Sequence, residues 1–125
     1  MAAIRHVRLD RAQGAPSANP IFVGPVSTQE VVNESHGDLL RVTAVTFDDG
    51  AINRPHRHTT DQVLVGTSGS GFVATEDEHH PLDPGEVAFI PAGTRHWHGA
   101  NPETTFTHLS ILTPGHTEID DGQSG

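Results

Sequence analysis

Histidine spacing is where this chain could do chemistry. His56-Arg57-His58 sets two imidazoles two positions apart, and Gln62 follows four residues after the second. On an extended segment alternate side chains share a face, so His56, His58 and Gln62 point the same way. A second cluster, His96-Trp97-His98, repeats the pattern. Four imidazoles and an amide on strands point to a metal ion held inside a β-barrel. The chain has no cysteine, so disulfides, thiolate sites and a thiol nucleophile are excluded. Any metal is left to histidine nitrogen and to oxygen.

The surrounding sequence predicts short strands. Residues 39–47 are β-branched and free of breakers, and Asp48-Asp49-Gly50 turns the chain. Strands are expected at 62–65, 71–75, 87–90, from Trp97, and at 104–112. Asp83-Pro84-Gly85-Glu86 reads as a type II turn, and 76–80 as a polar loop tip. Strands at regular spacing with Gly/Pro turns indicate an all-β sandwich or barrel. No long amphipathic helix is predicted. Residues 29–33 could start a single helical turn, and 21–32 contribute an outer strand. The acidic, Gly-rich segment 113–125 is expected to fray.

The totals bound the answer further. The chain has 125 residues, a length for one domain. All seven basic side chains are arginine, against 16 acidic ones, for a net charge of −9. Such a surface repels phosphates and anionic lipid, which excludes nucleic acid and membrane as expected partners. No apolar run reaches membrane-spanning length, and the first residues lack a secretion signal. The expected location is the cytoplasm.

With its motifs in view, the chain resembles the cupin superfamily. Gly50, His56, His58 and Gly69 match the first cupin motif, with Gln62 where Glu is usual. Gly85, Pro91, Gly93 and His96 match the second, with Ala100 in place of the final Asn and Asn101 one step late. Gln62, together with His96-Trp97-His98-Gly99-Ala100 and Thr104-Thr105-Phe106-Thr107-His108, is similar to the manganese-dependent cupin hydroxynitrile lyases and their relatives. The resemblance implies an all-β single-domain cupin, a small antiparallel barrel or jelly roll. It divides the chain into an N-terminal arm with dimer-contacting strands (1–38), the barrel (39–112) and a flexible acidic tail (113–125). It implies the metal ligands His56, His58, Gln62 and His96, with His98 and His108 as non-ligand histidines beside the open metal face. It also implies a homodimer.

This ligand set carries no charge and leaves a divalent ion a strong Lewis acid. Manganese is the expected ion, with Fe, Ni, Co and Zn as alternatives. An imidazole beside a dication is pushed toward its neutral form, which suits a general base. His98 is therefore the candidate base and His108 its partner in catalysis, the alternative for both being a structural role. For Gln62 the alternative is a polar barrel-lining residue, and for the three histidines a metal-free vestige.

Trp97, Arg57 and Arg95 have outward parity, the arginines pairing with surface acids. His79 and His80 are expected in solvent, as are His6, His36 and His116. Residues Thr43, Val45 and Phe47 form one candidate lining face; Val42, Ala44 and Thr46 form the other. Three functions follow. The first is a metal-dependent lyase on a small hydroxylated or carbonyl compound, of hydroxynitrile lyase type. The others are an iron-dependent dioxygenase and a non-catalytic small-ligand-binding cupin.

Overall fold

The computed structural model describes residues 3–122. After a 3-10 turn at Arg11–Gln13, thirteen strands follow in chain order. They are β1 (Ala15–Pro16), β2 (Phe22–Val23), β3 (Val26–Val32), β4 (Arg41–Phe47), β5 (Ile52–Asn53), β6 (His56–His58), β7 (Gln62–Gly69), β8 (Gly71–Ala74), β9 (His79–Pro81), β10 (Val87–Ile90), β11 (Trp97–Ala100), β12 (Phe106–Leu112) and β13 (Thr117–Ile119). One sheet runs β1-β3-β4-β12-β7-β10, a second runs β2-β5-β11-β8-β9, and β13 pairs with β6. Every pairing is antiparallel.

The two large sheets face each other, and the core lies between them. Phe47, Leu64, Leu82 and Phe106 are fully enclosed there, with Val26, Val73 and Ile90 around them. Alternation explains the placement. In β4, Val45 and Phe47 enter the core, while Ala44 and Thr46 are buried on the opposite face beneath the N-terminal arm. The lining face is thus Thr43, Val45 and Phe47.

The β7–β8 corner depends on glycine. Gly69 has φ +81°, and a Cβ there would run into the Thr105 carbonyl. A bulge interrupts the β12–β7 ladder between Thr107 and His108. Bulges re-aim side chains beside functional sites, and His108 is fully buried just past this one.

Three expectations are corrected. Residues 29–33 start no helical turn, since Val26–Val32 is a strand paired with β4. The loop tip at 76–80 is shorter than expected, because His79–Pro81 pairs with β8. The tail does not simply fray: Thr117–Ile119 pairs with His56–His58, although Gln123, Ser124 and Gly125 lie outside the described residues.

Candidate metal centre

The two histidine motifs meet through the backbone. His56 N–H donates to His96 C=O at 2.9 Å, and His96 N–H donates to His56 C=O at 3.0 Å. This bridge holds β6 against the segment entering β11, so the parity of each strand carries its imidazoles inward. His56, His58 and His96 are buried, and their candidate ligand nitrogens all lie within 4.8 Å of one another. Arg57, between the two β6 histidines, points out and pairs with Asp120 at 3.0 Å. Arg95 pairs with Glu76 at 3.0 Å and lies 5.5 Å from the Trp97 ring centre. The outward parity read for these residues holds.

The far side of each ring is anchored. His56 Nδ1 sits 2.7 Å from Arg54 C=O, and His96 Nδ1 sits 2.8 Å from Thr94 C=O. His58 Nδ1 lies 2.8 Å from Thr117 Oγ1. A carbonyl only accepts, so His56 and His96 carry their protons on Nδ1. Their Nε2 lone pairs are then turned into the site, as in histidines set up to bind a metal.

The donor set fits a divalent cation on two observations. His58 Nε2 is buried with no hydrogen-bond partner, a state that costs about 1–3 kcal/mol if nothing ligates it. Gln62 Oε1 stands 3.1 Å from His96 Nε2. With the His96 proton on Nδ1, this is one acceptor facing another, an arrangement a bound cation reconciles. The Gln62 Nε2 group donates to Ser110 Oγ at 2.9 Å, on the far side of the amide from the imidazole. Burial works in the same direction. It is the main cause that lowers His56 to a pKa of about 3, lowers His58 to about 4, and depresses His96. All three rings are thereby kept neutral, the ligating form.

His98 and His108 form a separate pair next to this cluster. His108 Nε2 lies 3.0 Å from His98 Nδ1, and both residues are buried. The Phe47 ring packs against both, 5.9 Å from His98 and 5.4 Å from His108. Burial holds His98 well below its usual pKa and His108 at about 4. His56, His58, Gln62, His98 and His108 all line one cavity of 470 Å³, together with Asn53. The structure therefore gathers every residue singled out for the site. His6, His79, His80 and His116 are exposed and apart from it, as is His36.

Three contributing residues are not apparent from the histidine pattern. They are Ser110 behind Gln62, Thr117 behind His58 and Asn53 against His98. Ser110 shares strand parity with His108, which was a usable signal. Thr117 lay in a segment with none. Asn53 lies three residues before His56, on the two-residue strand β5, in a stretch for which the sequence suggested no element.

A two-sheet barrel with histidines on facing strands, three of them around a metal-sized gap, is a cupin centre. The cupin domain pattern matches residues 43–112, and the chain belongs to the cupin family. It is 36% identical to the (R)-mandelonitrile lyase of Granulicella tundricola over 91 residues, 72% of this chain and 70% of that protein. It is 37% identical to the dimethylsulfoniopropionate lyase DddW of Ruegeria pomeroyi over 57 residues, 46% of this chain and 38% of that one. A cupin-like protein from Thermotoga maritima superposes with a TM-score of 0.81 at 31% identity, covering 87% of this chain and 86% of its own. Among the described residues no helix is long and apolar enough to cross a membrane.

Proposed function

We propose that the protein is a metal-dependent lyase of hydroxynitrile lyase type, cleaving or forming a small cyanohydrin in the cytoplasm. The observation that carries this reading is the buried, hydrogen-bonded His98–His108 pair opening on the same cavity as His56, His58 and Gln62. The identity to a mandelonitrile lyase over 72% of the chain supports it.

His56, His58, His96 and Gln62 would hold the ion, manganese by preference. When bound, it supplies Lewis acidity toward a substrate oxygen. The remaining chemistry belongs to side chains. His98, neutral and buried, takes the hydroxyl proton of the cyanohydrin. The O–H electron pair becomes the aldehyde C=O π bond. The C–CN bond breaks, and its electron pair leaves with cyanide. The histidine pair returns the proton to cyanide, so hydrogen cyanide and aldehyde are released and the enzyme is restored. Ile21, Val45 and Leu112 give the cavity an apolar wall.

Mandelonitrile cleavage by manganese-loaded protein tests the reading. Cyanide release above buffer is expected, with a loss of at least ~100-fold in His98→Ala. No release above buffer from the loaded wild type would refute the lyase. Bound iron with oxygen consumption would favour the dioxygenase instead, and absence of a tightly held ion would favour the binding protein.

We also propose a homodimer, through the outer face of the six-stranded sheet and not through the N-terminal arm that the resemblance implied. Its rows Val87-Val65-Leu109 and Phe89-Val63-Ile111 are in register across three strands. Val87 is 64% exposed and Phe89 is 61% exposed. Contiguous apolar surface of this kind marks an interface. These rows carry no charge on a chain of net −9, so two copies meet with least repulsion there. Light scattering should give twice the chain mass for the wild type and a monomer for Val87→Glu/Phe89→Glu. A monomeric wild type would overturn it.

A further inference from the structure

One wall of the cavity comes from β3 and β4. Alternation along β3 turns Thr28 and Glu30 toward the cavity, while Gln29 turns out and bonds to the N-terminal arm at Arg8 and Asp10. Glu30 stands opposite Thr43, and Thr43 stands opposite Ser110. A row of polar side chains therefore crosses the inner face of the sheet, from Glu30 through Thr43 to Ser110, and Ser110 takes the Gln62 amide at 2.9 Å. Glu30 and Ser110 are two strand spacings apart, about 10 Å.

Histidines apart, Glu30 is the one ionisable side chain lining this cavity among the described residues. It is exposed, so its carboxylate stands at the mouth. Asn33 Nδ2 donates to its Oε2 at 2.6 Å and anchors it. Among the described residues no arginine pairs with it. Its Oε1 is left without a protein partner, as are the Thr28 and Thr43 hydroxyls beside it.

We propose that Glu30 is a specificity-determining residue that receives a hydrogen-bond donor, a hydroxyl or an ammonium group, at the end of the substrate remote from the reacting carbon. The reacting end is taken from the proposed lyase; the remote donor is argued from this wall alone. A carboxylate only accepts. An apolar end laid against it would strip its water and return nothing, and a second carboxylate would meet like charge. A donor end is rewarded, because a hydrogen bond to an ionised acceptor is the stronger kind. The substrate class is thus bifunctional. One oxygen lies at the histidine cluster, an apolar middle lies against Val45 and Leu112, and a donor lies at the mouth. The length of the polar row suits an aromatic ring with a one-carbon arm at each end.

Calorimetry on zinc-loaded protein reads this preference without turnover. The probes are benzyl alcohols that carry a methyl, hydroxymethyl or aminomethyl group para to the alcohol arm. One or both donor-bearing probes should bind ~10-fold more tightly than the methyl compound. In Glu30→Leu the three should fall within about twofold of one another, with the methyl compound bound as in the wild type. Glu30→Gln separates the two donors. Asn33 takes the amide oxygen, so the variant still offers a hydroxyl a partner and offers an ammonium none. Equal binding of all three by the wild type, or a preference that survives Glu30→Leu, overturns the proposal. The wild-type ranking decides the first point even if a variant fails to fold. Cyanide release from mandelonitrile with no such ranking would keep the lyase and remove this role for Glu30. The ranking without cyanide release from any cyanohydrin would do the reverse.

Discussion

At the scale of single residues, the site is governed by which atom of each polar group is already spoken for. The clearest case is Gln62. The general first cupin motif has Glu at this position, and an amide brings no charge to the ion. Gln62→Glu should therefore bind manganese more tightly, by about tenfold, because a carboxylate offsets part of the divalent charge. The same offset should weaken the Lewis acid, so cyanide release should fall while metal retention rises. Competition against a chelator and the mandelonitrile assay measure the two halves separately. If affinity and activity both drop, Gln62 acts as a lining residue and not as a ligand. Ser110 is the partner on the other side: its hydroxyl takes the Gln62 NH₂ at 2.9 Å and anchors the amide beside the histidines.

At the scale of elements, the least regular strand carries the most specific consequence. Strand β13 sits in a polar stretch, yet it supplies the Thr117 hydroxyl 2.8 Å from His58 Nδ1. In Thr117→Val the shape is kept and the oxygen is lost. Metal affinity should fall ~10–100-fold, while the metal-free protein melts within a few degrees of the wild type. Unchanged affinity would mean that β13 only covers the β6 edge. This strand also shows what the sequence could and could not convey. Strands β4 and β12 were legible because apolar and β-branched residues run along them with nothing to break the pattern, whereas β7 was read only to Val65 and in fact continues through Gly66 to Gly69. The inward set His56, His58, Gln62, His96 and His98 was legible because a period of two needs no tertiary information. Strands β9 and β13 were not. His79–Pro81 and Thr117–Ile119 are exposed along their length, so no burial pattern marks them, and only pairing with a neighbour makes them strands. The Asn53 contact was hidden for a related reason. It depends on β5 lying beside β11, a register between residues 45 positions apart that no local spacing encodes.

At the scale of the whole molecule, five buried imidazoles tie folding to pH. In the unfolded chain each titrates near 6.5. In the folded, metal-free protein burial lowers His56 to about 3 and His108 to about 4, with His58, His96 and His98 depressed as well. Below pH 6.5 the unfolded state therefore binds protons that the folded state refuses, and stability falls as pH falls, until the folded rings themselves titrate. About a pH unit or more above 6.5 both states are neutral and this contribution is flat. Each fully depressed ring removes ~1.4 kcal/mol per pH unit inside the window, so His56 and His108 alone account for about 3 kcal/mol between pH 7.5 and 5.5. The acidic surface opposes this slightly, since protonating carboxylates relieves the repulsion of a chain with net charge −9. Histidine wins in this range because surface carboxylates titrate mostly below pH 5. Urea unfolding of the metal-free protein at pH 7.5, 6.5 and 5.5 should thus show about a quarter of the loss over the first step and a total loss of about 3 kcal/mol or more by the last. Restoring manganese at pH 7.5 should raise the midpoint, because the ion binds only the folded arrangement. That gain should shrink as acid competes for the same nitrogens. A metal-free stability that is level from pH 7.5 to 5.5 would mean that water reaches these rings, and that the enclosed, neutral cluster on which the site depends does not exist in solution.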